Sequence, residues 1–260
     1  MGKVTLVGAG PGDPELLTIK AVRAIQQADV VLIDDLVNPA ILDYAPAAAR
    51  VVQVGKRGGC ASTPQEFIER LMVAEARAGR QVVRLKGGDP YLFGRGGEER
   101  ATLQAHGIAV EVVPGISSGV AAPASIGVPL THRDWSQGAI FVTGHGKDEQ
   151  SEPNWQALAQ SGLTLVIYMG VARVESIQAG LLAGGAALTL PVAVVQSATR
   201  AQQRQVVTTL GQLPQVLRES GLGSPSIIVI GDVVRCAEAW QQLVKEQVQE
   251  QERACTATAR

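Results

Sequence analysis

Two loops carry residue types whose spacing can do chemistry. The first is Gly8-Ala9-Gly10-Pro11-Gly12-Asp13. Gly8-x-Gly10 after a β-branched run and before a helical one suits a dinucleotide-binding turn, with Asp34 at the end of the next apolar run placed to hold a ribose. The third glycine of that pattern is replaced by Asp13. A carboxylate at a helix N-terminus repels pyrophosphate, and Pro11 lacks an N–H that a phosphate cradle uses. A nucleoside ligand without phosphate meets neither objection. A tight turn with positive φ at a glycine is the alternative reading of this loop.

The second loop follows Val83-Arg84-Leu85-Lys86 and holds Gly87, Gly88, Gly94, Gly96 and Gly97. Each glycine costs backbone entropy on folding, so close approach of the backbone to a ligand accounts for the density better than a flexible surface loop does. Asp89 is placed to accept hydrogen bonds from a sugar hydroxyl or an amine, and Pro90 stiffens the turn that presents it.

The elements that must position these loops read as strands and helices in alternation. Lys3–Val7, Val30–Ile33, Val51–Val54, Gln81–Leu85 and Val110–Val113 are strand-like, and each ends in Gly, Pro or Asp. Helical spacing follows the first of them through Leu16, Leu17, Ile19, Ala21, Val22 and Ile25. Thr63-Pro64-Gln65-Glu66 reads as a capping box, with Thr63 as cap and Pro64 at the first helical position, opening a helix that runs to Gly79. A further helix spans about Gly97 to Gly107. This is the pattern of a parallel wound sheet whose ligands bind beyond the carboxyl ends of its strands. A second group of runs, Ala139–Thr143, Thr164–Met169, Pro191–Gln196, Gln205–Thr209 and Ser226–Ile230, has helical patterns only at Arg173–Ala183 and Leu213–Ser220. That group implies a mixed sheet. The expected organisation is an α/β domain over 1–126, a junction over 127–138, a second α/β domain over 139–240, and a polar, disordered tail over 241–260.

Composition bounds the partners. The chain has 260 residues, 46% hydrophobic and 18% charged, with a formal net charge of −1. No basic footprint for nucleic acid results, so an anionic ligand must be met by local Lys and Arg. Cys60, Cys236 and Cys255 form neither a disulfide framework nor a zinc pattern, and imply a reducing cytoplasm. The chain opens on a strand with no signal-peptide pattern, and no apolar stretch reaches the ~20 residues of a membrane span.

Together the motifs resemble the tetrapyrrole methylase family. They are Val7–Thr18, the long glycine-rich stretch, Val113-Pro114-Gly115-Ile116, Pro129-Leu130-Thr131-His132-Arg133 and Tyr168-Met169-Gly170. Within the family, Gly55-Lys56-Arg57 and Val142-Thr143-Gly144-His145 point to the branch that acts on uroporphyrinogen III. The resemblance covers about residues 3–236. It implies two α/β domains, with S-adenosylmethionine bound in the cleft between them and S-adenosylhomocysteine as its product. It further implies a homodimer, no metal, and two successive C-methylations through precorrin-1 to precorrin-2, for sirohaem or cobalamin.

Carried over by position, cofactor contacts fall at Pro11, Gly87, Gly88, Asp89, Leu92, Ser117, Ser118, Met169 and Ala198. Asp34 and Lys56 match the family's proton acceptor and proton donor; Lys56 equally suits a substrate carboxylate. Uroporphyrinogen carries carboxylates, and Lys56, Arg57, Lys86, Arg95, His132 and Arg133 are the loop cations available to meet them. Each alone also reads as a solvated surface charge, and His132 reads as a hydrogen-bonding residue rather than a metal ligand. The chain departs from the family pattern at Asp35, where an arginine is common, at Ser117-Ser118, and at Ala198, where a contact must come from the backbone. Three other readings stand beside this one: a nicotinamide-dependent reductase, a sister methylase acting on a later precorrin or on RNA, and a tetrapyrrole carrier without turnover.

Overall fold

The structure, a computed structural model, describes residues 2–55, 63–144, 152–246 and 249. The chain divides into two compact units, Met1–Ser118 and Gly119–Arg260, and each is built on its own sheet.

In the first unit, β1 (Lys3–Gly8), β2 (Val30–Ile33), β3 (Arg50–Gln53), β4 (Gln81–Lys86) and β5 (Ala109–Val113) lie in the order β3-β2-β4-β1-β5. Every pairing is parallel, as the strand–loop–helix pattern requires. Successive side chains point to opposite faces, so one run of residues serves two cores. Val7, Val31, Ile33, Val83 and Leu85 pack against Ala21 and Ile25 of α1 (Ile19–Gln26). Val4, Leu6, Val30, Leu32 and Val82 pack against Ile68, Met72 and Leu103, which belong to α2 (Gln65–Arg77) and α3 (Gly96–Ala105). Helix α1 thus leaves β1 on one face, while α3 leaves the adjacent β4 on the other. The winding reverses between these strands, which makes their carboxyl ends a topological switch point.

Helix α1 starts where Thr18 accepts a hydrogen bond from the Ala21 N–H at 3.1 Å, a side-chain cap for an otherwise orphaned donor. The capping box expected at Thr63 does not form. Pro64 occupies the cap position with no side-chain bond, and the Thr63 hydroxyl donates to the Gly55 carbonyl at 3.4 Å. With the start displaced by one residue, Glu66 falls at the second helical position, where it cannot close the box. Gly79, with φ +85°, ends the segment as expected.

The second unit orders β6 (Ala139–Thr143), β7 (Thr164–Tyr168), β10 (Ser226–Ile230), β8 (Pro191–Gln196) and β9 (Arg204–Thr209) side by side. Only the β6–β7 pair is parallel, so the sheet is mixed. Leu165, Ile167, Val192, Val194, Ile228 and Ile230 pack with Ile177 and Leu217 of α6 (Val174–Ala183) and α7 (Leu213–Ser220). The opposite face packs against Ala122, Val128, Val233, Val234 and Trp240. Two short helices had no signal in the sequence pattern. These are α4 (Ser118–Ala124), interrupted by Pro123, and α5 (Trp155–Gln160). Residues 238–246 are helical. Among the described residues no helix is long and apolar enough to cross a membrane.

Candidate active site

The carboxyl ends of β1, β4 and β5 are laced together by glycine backbone. Gly88 donates to the Gly10 carbonyl at 2.7 Å, and Gly10 donates back to the Gly88 carbonyl at 3.2 Å. A Cβ on Gly115 would lie 2.3 Å from the Gly88 carbonyl oxygen, and one on Gly8 would lie 2.5 Å from the Gly115 nitrogen. Both obstacles are main chain, so only glycine fits. Asp89 completes the lacing: one carboxylate oxygen accepts from the Gly115 N–H at 3.1 Å and the other from the Tyr91 N–H at 2.8 Å. Pro11, Gly87, Gly88, Asp89, Leu92 and Ser117 stand on these three loops and Ser118 opens α4 at the end of the third, with Gly88 and Ser117 buried.

The same geometry tests which cofactor the loops fit. Asp13 caps the 3-10 turn Pro14–Leu16, accepting from the Glu15 N–H at 2.9 Å. Helix α1 itself starts later, capped by Thr18, so Asp13 holds the third-glycine position of the dinucleotide pattern with a carboxylate that would repel a pyrophosphate brought beside it. Backbone crowded with glycine and free of a phosphate cradle suits a nucleoside that carries no phosphate, which is the character of S-adenosylmethionine.

Beside this lacing lies a cluster of charges. Asp34 follows β2, two residues beyond Leu32, which pairs with Arg84 on the adjacent β4. Its Oδ1 accepts from Arg84 Nη2 at 2.7 Å. Arg84 Nε donates to Glu99 Oε1 at 3.2 Å, and the same oxygen accepts from Lys86 Nζ at 3.0 Å and from Gln65 Nε2 at 3.1 Å. Arg84 and Glu99 are 2% and 0% exposed, whereas the Asp34 side chain keeps 28% of its surface in solvent. Two cations and two carboxylates balance, which keeps the cost of burying them tolerable. Burial pushes the Lys86 ammonium below its ordinary value, Arg84 adds to that, and Glu99 and Asp34 oppose it.

Arg84 and Glu99 were not singled out by sequence. The available signal was Arg84 and Lys86 two apart in an otherwise apolar strand, which puts both side chains on the face that Asp34 shares. Lys86 itself requires correction: expected as a loop cation, it is the last residue of β4 and is 4% exposed, so its charge is committed to Glu99. Lys56 and Arg57 lie outside the described residues. Arg95 has left-handed backbone (φ 58°) and pairs with Glu98 at 2.5 Å, a bond that raises its already high pKa. Asp35 is exposed, with its carboxylate against Gly55.

In the second unit, Met169 and Ala198 stand just beyond the carboxyl ends of β7 and β8. These strands flank β10 and both run antiparallel to it, so the two positions share one edge of the sheet. Met169, Ser197 and Thr199 all have left-handed backbone, with φ of 55°, 49° and 65°. Such conformations cost about 1–3 kcal/mol each and concentrate where a ligand is gripped. Met169 is 51% exposed and Ala198 is buried, so main chain is what Ala198 can offer. His132 stacks on Trp135 with ring centroids 4.5 Å apart and accepts from the Asp134 N–H at 3.2 Å; Arg133 is exposed beside it.

Two cavities of the first unit lie away from these loops. One of about 500 Å³ is bordered by α2 and α3 residues such as Glu69, Arg70 and Thr102. One of about 370 Å³ is bordered by Lys3, Lys20, Arg23 and Glu111. The glycine loops and the buried charges, rather than the size of a hollow, mark the candidate site.

Known proteins resemble this chain along most of its length. The family model described as Tetrapyrrole (Corrin/Porphyrin) Methylases matches residues 3–214. The chain is 60% identical over 237 residues to a uroporphyrinogen-III C-methyltransferase of Pseudomonas aeruginosa, covering 90% of this chain and 95% of that one. It is 54% identical to siroheme synthase 2 of Aeromonas salmonicida but spans only 48% of that longer protein. Among solved structures, the uroporphyrin-III C-methyl transferase of Thermus thermophilus complexed with S-adenosyl homocysteine superposes with a TM-score of 0.77. It is 41% identical, covering 90% of this chain and 94% of that chain.

Proposed function

The chain belongs to the tetrapyrrole methylase family, and on that premise we propose that it is an S-adenosylmethionine-dependent methyltransferase acting on uroporphyrinogen III. It adds two methyl groups to ring carbons in succession, giving precorrin-1 and then precorrin-2 for sirohaem or cobalamin. The observation that carries this reading is the near full-length relative of that activity at 60% identity. The carboxylate of Asp13 in the first glycine loop, unfavourable for a phosphate, and the partly exposed carboxylate of Asp34 supply a chemical basis for it.

S-adenosylmethionine, when bound, supplies an electrophilic methyl on a sulfonium. The protein's tasks are then to align the acceptor carbon and to take the proton that carbon loses, since orientation is worth orders of magnitude in rate and a placed base adds more. Asp34 is the proposed base: Arg84 fixes one carboxylate oxygen, and the side chain retains solvent access. In the first unit Pro11, Gly87, Gly88, Asp89, Leu92, Ser117 and Ser118 are the proposed cofactor contacts; in the second, Met169 and Ala198 are. Arg95, His132 and Arg133 are proposed to meet the substrate's carboxylates, with Lys56 and Arg57 from outside the described residues, Lys56 also as proton donor. The reading takes the protein to be a cytoplasmic homodimer, which light scattering on the purified protein tests.

Incubation with uroporphyrinogen III and S-adenosylmethionine, followed by mass spectrometry of the product, tests the activity. The expected product has gained two methyl groups. Binding of the cofactor with no gain in mass contradicts the reading.

A further inference from the structure

We propose that Glu99 is a positioning residue for methyl transfer: through Arg84 it fixes the carboxylate of Asp34. The inference rests on the reading of Asp34 as the base. Asp34 sits at a strand end, where its side chain has rotamers to choose among. What limits the choice is a single guanidinium, which donates from Nη2 to Asp34 at 2.7 Å and from Nε to Glu99 at 3.2 Å. A guanidinium is a rigid planar fork, so holding one arm sets the direction of the other. Glu99 holds that arm from the first turn of α3, and it is itself held by Lys86 and Gln65. The base is thus tied through Arg84 to β4, α2 and α3.

Stability alone does not explain the arrangement. Glu99 Oε2 is buried without a hydrogen-bond partner, a cost to folding. Arg84 and Lys86 have both given up their hydration to face one oxygen. A carboxylate serving only as a clasp can do so with exposed cations, as Glu75 does with Arg50 and Arg80. Glu75 is therefore the matched control: also a buried glutamate holding two cations, but with no link to Asp34.

The test compares Glu99→Gln, Arg84→Lys and Glu75→Gln with the unaltered protein. Readouts are turnover of uroporphyrinogen III, KM for that substrate, affinity for S-adenosylhomocysteine, and thermal midpoint. Glu99→Gln keeps shape and loses charge, whereas Arg84→Lys keeps charge and loses the fork. Both are expected to lower kcat by about tenfold to a hundredfold, the scale of a small misplacement of a reacting group. KM and cofactor affinity should stay within about threefold of the unaltered protein, and Glu75→Gln should leave kcat unchanged. Where Glu99→Gln does not fold, Arg84→Lys carries the test. Full kcat in a folded Glu99→Gln or Arg84→Lys protein overturns the proposal, as does an equal loss in Glu75→Gln. Absence of methyl transfer by the unaltered protein sinks instead the functional reading on which the proposal rests.

Discussion

At the amino edge of the first sheet Glu75 holds Arg50 and Arg80; at the carboxyl edge Glu99 holds Arg84 and Lys86. Both glutamates are buried, yet their partners differ. The side chains of Arg50 and Arg80 are 51% and 46% exposed, against 2% and 4% for Arg84 and Lys86. At the amino edge water still solvates the cations, so the cluster is a clasp made at low cost. At the carboxyl edge the charges are desolvated, and they are tolerable only because they balance. The second arrangement specifies a direction as well as a contact, and the direction ends on Asp34.

The glycine lacing belongs to the carboxyl edge too, and breaking it should have the largest effect on that side. Gly115→Ala drives a Cβ into the Gly88 carbonyl, an obstacle that cannot rotate away. The expected loss is about 1–3 kcal/mol of stability, as for other overpacked sites, together with weaker S-adenosylhomocysteine binding by calorimetry. Binding that survives intact would remove this edge from the cofactor site. Glu75→Ala probes the amino edge. It leaves two arginines that water can solvate, so urea unfolding should show a loss of about 1–2 kcal/mol, while the rate of methyl transfer stays unaltered. A fall in that rate would erase the contrast between the edges.

The smallest effect concerns Glu111, the exposed counterpart of these clusters. Lys20, with help from Lys3, holds its carboxyl below the usual carboxylate range. A depressed folded-state pKa contributes stability above the unfolded pKa, and that contribution is lost as pH falls through the folded value. Glu111→Gln should therefore cost under about 1 kcal/mol at neutral pH, less in high salt. The difference from the unaltered protein should begin to shrink as pH falls below 4.5, the carboxyl's ordinary value, and vanish once pH is below the depressed folded value. A deficit that persists in acid would point to packing instead.

Much of the fold was legible because the runs that build it obey simple periods. The Val- and Ile-rich strands of both sheets fell within a residue or so of their expected bounds, as did the glycine stops at Gly79 and Gly107. The failures have local causes. Thr63 has capping chemistry, but its hydroxyl finds the Gly55 carbonyl, a contact that spacing does not encode. Helix α4 hides behind Gly119 and Pro123, and α5 is too short to display a period.

The site was legible in part. Asp34 and the glycine loops stood out by type and position, whereas Glu98 and Glu99 are indistinguishable as neighbours in a helix's first turn. Only packing turns Glu99 inward to Arg84 and leaves Glu98 outside with Arg95. Lys86 was read as a loop cation because one residue decides whether a strand's end faces solvent or core.

The account turns on Asp34, and the measurement that tests it most directly is single-turnover methyl transfer by Asp34→Ala, alongside calorimetry with S-adenosylhomocysteine. Loss of a placed general base predicts a rate lowered by about 100- to 10,000-fold, with cofactor affinity unchanged. Methyl transfer at the unaltered rate would contradict the account and place the base elsewhere.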